Sequence, residues 1–118
     1  MRGRFYNIGE YGTQQVIDEL KTQYPNLNYS REVSLSVNGI TYRADFIYYD
    51  NKMQFHIVEV KAGVIPGFTK NQRLTIPALQ SGINVKIVPF GKNASNFFNK
   101  PLPNQINKYT FDFYWLKK

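Results

Sequence analysis

Arg43–Arg73 reads RADFIYYDNKMQFHIVEVKAGVIPGFTKNQR, and this stretch decides the fold. Two apolar-rich runs, Tyr42–Tyr49 and Gln54–Ala62, flank the turn-forming Asp50-Asn51-Lys52. That pattern predicts a β-hairpin. Asp45 falls in the first strand, Glu59 and Lys61 in the second. Side chains alternate faces along a strand, so Glu59 and Lys61 share a face and Val60 points the other way. A charged pair inside a run as apolar as IVEVKA needs a partner, a metal or a task.

Upstream, Asn38-Gly39 is a tight-turn dipeptide between the strands Asn28–Val37 and Ile40–Tyr49. Val33, Leu35 and Val37 fall on one face of the first of these. A helix is expected from about Gly9 or Thr13 to Gln23, with Val16, Ile17, Leu20 and Tyr24 as its apolar stripe and Pro25-Asn26 as its stop. Glu10 lies roughly 65° from the centre of that stripe, at the edge of the buried face, and Glu19 roughly 115° away, toward solvent. Glu10 is either a site carboxylate or a first-turn glutamate favoured by the helix dipole.

Downstream, Val64–Phe68 is a loop holding Pro66-Gly67. Thr69 is placed to cap a helix over Lys70–Ser81 that Gly82 closes. Pro77 is expected to kink or split that helix. Ile83–Phe90 reads as a strand, which the intervening helix allows to run parallel to its neighbour. Gly91–Gln105 reads as a long loop whose Phe97-Phe98 pair is packed, and Tyr109–Leu116 as a last aromatic strand. The expected fold class is α/β: an N-terminal helix, an antiparallel meander, a crossover helix and a further strand in a mixed sheet, all in one domain over residues 1–118.

The chain has 118 residues, 42% hydrophobic and 16% aromatic, enough for one core. Fifteen Lys+Arg against eight Asp+Glu give a net charge of +7, which suits a polyanionic partner such as nucleic acid. The absence of cysteine excludes disulfides, thiolate zinc sites and cysteine nucleophiles. A single histidine, His56, excludes a multi-histidine metal site. It falls on the face opposite Glu59 and is read as structural or exposed. No apolar run approaches the roughly 20 residues of a membrane span. No signal-peptide pattern opens the chain, which is compatible with a piece of a larger protein.

Hydrolysis of a phosphodiester needs an activated water and compensation of charge on the phosphate. Mg²⁺ (or Mn²⁺) supplies both when one or two carboxylates hold it and leave positions open. Asp45 and Glu59 are the candidate ligands, with the Val60 carbonyl as a further oxygen. Lys61 beside them can orient or deprotonate the water, or stabilise the transition state. Arg43, Lys70, Arg73, Lys86 and Lys92 are candidates for a phosphate-binding face, Arg73 being nearest the chemistry in sequence.

The spacing D-x13-E-V-K resembles the PD-(D/E)xK superfamily, with Asp45, Glu59 and Lys61 at the motif positions and Ala44 where a proline is usual. EVKAG followed by TKNQR resembles the C-terminal nuclease domains of bacterial polymorphic toxins: Rhs-type, contact-dependent inhibition and type VI effectors. The resemblance implies a restriction-endonuclease-like core. It gives Gln72 a place near the metal or phosphate, and makes Glu10, or else Glu19, the acid of the first helix. It also implies action on DNA, or on RNA, in the cytoplasm of a target cell after delivery by a larger effector, and a cognate immunity protein as partner. Two readings stand beside it. One is a junction-resolving, repair or restriction-type enzyme of the same fold, expected as a homodimer. The other is a basic nucleic-acid-binding module without catalysis.

Overall fold

Ile8–Gln23 forms helix α1, and Tyr24, at the C-terminal end of its apolar stripe, is half-buried. The computed structural model describes residues 8–50, 54–62, 67–97 and 100–116, with side chains from residue 12 onward. The expected turn at Asn51-Lys52, the loop start at Val64 and the partner Phe98 lie outside them. Val16, Ile17 and Leu20 are buried, while Gln15, Asp18 and Glu19 face solvent, the two-sided pattern that a docked helix requires.

The meander follows as β1 (Asn28–Val37), β2 (Ile40–Tyr49) and β3 (Phe55–Ala62). Asn38 and Gly39 both take positive φ, 51° and 84°, as the two-residue hairpin turn demands. Helix α2 (Lys70–Ser81) is capped by Thr69 and closed by Gly82 at φ 64°. Strand β4 (Ile87–Phe90), the short helix α3 (Lys92–Ser95) and strand β5 (Tyr109–Leu116) complete the chain. The sheet order is β4-β1-β2-β3-β5. Among the described strands β3 and β5 run parallel and the other pairs antiparallel. Among the described residues the architecture is thus α/β with a five-stranded mixed sheet and three helices.

Two apolar layers hold it. Val16, Ile17 and Leu20 of α1 pack with Phe46, Tyr48, Val58 and Val60 on one face. Ile76 and Leu79 of α2 pack with Val33, Leu35, Ala44, Ile47 and Ile57 on the other. Gly12 marks the close approach of α1: a Cβ there would stand 2.9 Å from Leu116 Cδ1 and 3.5 Å from Val60 Cγ1.

Three expectations need correction. Pro77 does not split α2, which runs unbroken to Ser81; the proline sits on the exposed side, away from the buried Ile76 and Leu79. The strand expected over Ile83–Phe90 begins only at Ile87; Asn84, just after α2, turns the chain at a left-handed φ of 52°. That strand is also antiparallel, on the free edge of β1, where Pro89 is tolerated. The parallel neighbour is β5 instead. Finally, Gly91–Gln105 is not all loop: it contains α3, and Ala94, Phe97, Leu102 and Ile106 seal the end of the α2-side core.

His56 proves structural. Its Nε2 meets Asp50 Oδ2 at 2.7 Å and its Nδ1 meets Asp112 Oδ2 at 3.0 Å, with Tyr48 stacked on the ring at 4.3 Å. Burial pushes its pKa down, but hydrogen bonds to Asp112 and Asp50 outweigh burial and hold it above the ordinary value of 6.5. A raised folded-state pKa contributes stability that is complete below the ordinary value and is lost as pH rises through the folded one. Melting temperature should therefore fall above pH 6.5 more in the wild type than in His56→Gln. Parallel pH profiles of the two proteins would refute this role.

Candidate active site

β2 and β3 pair from Tyr49↔Phe55 to Phe46↔Val58, and the ladder then opens. On its other edge β3 stays paired with β5 through Ala62↔Leu116. In the fork, the Asp45 side chain takes over the role of a ladder partner: its Oδ2 accepts the Val60 N–H at 2.6 Å. The N–H and C=O of one strand residue face the same edge, so the Val60 carbonyl also faces the fork.

The pleat changes face at the same place. Tyr42 and Ala44 belong to the α2-side core, whereas Phe46 and Tyr48 belong to the α1 side. Strict alternation would have kept all four on one face. Glu32, across from Asp45 in the register between Arg31↔Phe46 and Val33↔Ala44, takes a left-handed φ of 53°. This local break lies at the metal-ligand candidate, where re-aiming of a side chain is expected.

Glu59 is 2% exposed. Tyr42 Oη donates to its Oε1 at 2.5 Å, and Gln72 Nε2 donates to its Oε2 at 3.3 Å. Lys61 Nζ stands 3.5 Å from the same Oε2. Lys61 Nζ also donates to Gln72 Oε1 at 3.0 Å and lies 5.1 Å from the centre of the Phe68 ring. Gln72 belongs at once to the site and to the helix start. Its Oε1 accepts the Thr69 N–H at 3.0 Å and its own N–H donates to Thr69 Oγ1 at 3.1 Å, a capping box. The cap that nucleates α2 therefore holds Lys61 in place.

Burial, and then the neighbouring charge of Asp45, push the Glu59 pKa up to about 7; Tyr42 and Lys61 pull it back in part. Burial also raises Asp45, against the Val60 N–H, the Lys61 ammonium, a hydrogen bond with Glu59, and Arg31. A buried and a half-buried carboxyl group side by side, with a carbonyl on the same fork, are a donor set able to hold a cation. Among the described residues no three His, Cys, Asp or Glu gather as a metal cage. Mg²⁺ needs no such cage: one or two carboxylates suffice, water filling the rest. The residues fit that ion.

Asp45, Glu59, Lys61 and Gln72 thus come together from β2, β3 and α2. Arg43, Lys70 and Arg73 are exposed, the last two flanking Gln72 in the first turn of α2; Lys86 and Lys92 are exposed as well. Glu10 lies in the first turn of α1, one turn before Gln14, and its side chain is outside the described residues. Glu19 is not at the site: it is exposed beside Gln15, Asp18 and Thr22 on the outer surface of α1.

Sequence reasoning missed Tyr42, Arg31 and Gln14. Arg31 Nη1 donates to Gln14 Oε1 at 2.9 Å, and its charge acts on Asp45. No motif announces them, because each is placed by cross-strand register or helix docking. Gln72→Ala should cost about 1 kcal/mol through the lost cap partner. It should also lower turnover roughly tenfold by releasing Lys61, about 1.4 kcal/mol of barrier. Thermal melting and initial rates would separate the two effects; unchanged rates would remove Gln72 from the site. Comparison with protein-family models, with curated proteins and with solved structures finds no match to this chain.

Proposed function

We propose that this chain is a magnesium-dependent nuclease of restriction-endonuclease type, acting on DNA. The observation that carries the reading is the convergence of two desolvated carboxylates, the Val60 carbonyl edge, Lys61 and Gln72 at the fork of β2 and β3. In this reading α1, the meander, α2 and the parallel strand β5 are the common core, and β4 is an addition on the opposite edge. The net charge of +7 favours a phosphate-rich substrate.

Asp45, Glu59 and the Val60 carbonyl would hold Mg²⁺, which lowers the pKa of a bound water and compensates phosphate charge. Lys61 would donate to the attacking water or to a non-bridging phosphate oxygen. Gln72 fixes the lysine by accepting one of its hydrogens, and Tyr42 orients Glu59 by donating to its far oxygen. The EVKAG and TKNQR segments, by their resemblance to polymorphic-toxin nucleases, support a role as the delivered part of an interbacterial effector with an immunity protein as partner.

Plasmid cleavage by purified protein tests the reading. Cutting should require Mg²⁺, stop with chelator, and fall roughly 10²–10⁴-fold in folded Lys61→Ala. Intact plasmid, intact single-stranded DNA and intact RNA under all conditions would overturn it.

A further inference from the structure

Strand β5 runs parallel to β3 with Glu59 opposite Phe113 and Lys61 opposite Trp115. Registered partners share a face, so Phe113 and Trp115 stand on the face of the sheet that carries the acidic pair and the lysine. Neighbouring strands lie only about 4.8 Å apart. The rings continue into the loop before α2: Phe68 lies 6.0 Å from Phe113, centre to centre, and under the Lys61 ammonium. Trp115 is 49% exposed, although it lies on a strand whose alternate residues Tyr114 and Leu116 pack against the α1 side. Trp115 thus offers exposed ring surface beside a candidate phosphate site.

We propose that Trp115, continued by Phe113 and Phe68, is a stacking platform for an unpaired base next to the scissile phosphate, so that the substrate is single-stranded DNA or a single-stranded segment of a duplex. The proposal rests on the nuclease reading for the position of the phosphate. A flat ring offers its face to any base but cannot reach a base still stacked inside a duplex. Stacking of this kind is sequence-tolerant and is worth about 1–3 kcal/mol per base, or about 5- to 150-fold in affinity. Lys61 would meet the phosphate while the ring opposite it in register meets the base.

The chain contains one tryptophan, so its emission reports this position alone. The full chain, in chelator to prevent cutting, is titrated with a fluorescein-free single-stranded DNA oligonucleotide, with its blunt duplex and with the RNA of the same sequence. Single-stranded DNA should quench the emission strongly and the duplex should leave it nearly unchanged. Anisotropy of a labelled single strand should show Trp115→Ala weakened at least fivefold and Trp115→Phe close to wild type, with circular dichroism showing both folded. Binding without quenching, equal quenching by the duplex, wild-type affinity in Trp115→Ala, or quenching by RNA alone would each overturn the proposal. Those results leave Mg²⁺-dependent cutting untouched. Conversely, quenching by single strands in a protein that never cuts would keep the platform and remove the nuclease.

Discussion

Glu59→Gln should lose metal-dependent cleavage by roughly 10²–10⁴-fold and yet make the metal-free protein more stable at pH 8. The first effect follows from the proposed role of Glu59 as an ion-holding carboxylate. The second follows from its environment. Burial and Asp45 raise the Glu59 pKa from 4.5 to about 7, so the folded chain keeps a proton that the unfolded chain has released. Stability of the metal-free protein therefore falls as pH rises from about 4.5 to about 7, and the full penalty, on the order of 1–3 kcal/mol, is present above that. Glutamine carries no charge and keeps an oxygen for Tyr42. Its melting temperature should exceed that of the wild type by several degrees at pH 8 and by little at pH 4.5. Added Mg²⁺ should reverse the order, stabilising the wild type more at pH 8 than at pH 6, because the ion binds the deprotonated acid. A variant less stable than wild type at pH 8, or still stabilised by Mg²⁺, would remove Glu59 from the metal site.

The second large effect separates structure from chemistry at Asp45. Asp45→Ala leaves the Val60 N–H, on a residue 5% exposed, without its acceptor. That should cost about 1–3 kcal/mol in addition to activity. Asp45→Asn keeps an oxygen for the Val60 N–H, so it should fold with near wild-type stability and still fail to cut. Denaturant melts beside plasmid assays would show both. An active Asp45→Asn protein would mean that the fork needs the hydrogen bond and not the charge, and the paired-carboxylate reading would fall.

Much of the fold was legible because local chemistry and tertiary structure agree. Asn38-Gly39 reads as a hairpin turn of this kind, and the capping signals at Thr69 and Gly82 bound α2 to the residue. Pro77 does not split the helix, since a proline on the exposed side of a docked helix is tolerated when buried neighbours hold the helix together. Ile83–Phe90 misled because apolar residues suggest a strand while the left-handed turn at Asn84 is invisible to periodicity. The edge that a strand joins is a long-range choice, and nothing within Ile87–Phe90 states that it pairs with β1.

The candidate site divides in the same way. Sequence alone determined that Glu59 and Lys61 share a face and that Asp45 lies on the strand before them, because period-two geometry is local. It also determined that Gln72 opens the following helix. Only the tertiary structure decided that the ladder parts beside Asp45, that Tyr42 and Arg31 attend the two carboxylates, and that Phe113 and Trp115 line the face. Those are matters of register between distant strands. Register is set by the burial of whole faces, and the change of face beside Asp45 accompanies a left-handed residue at Glu32; a short motif contains neither.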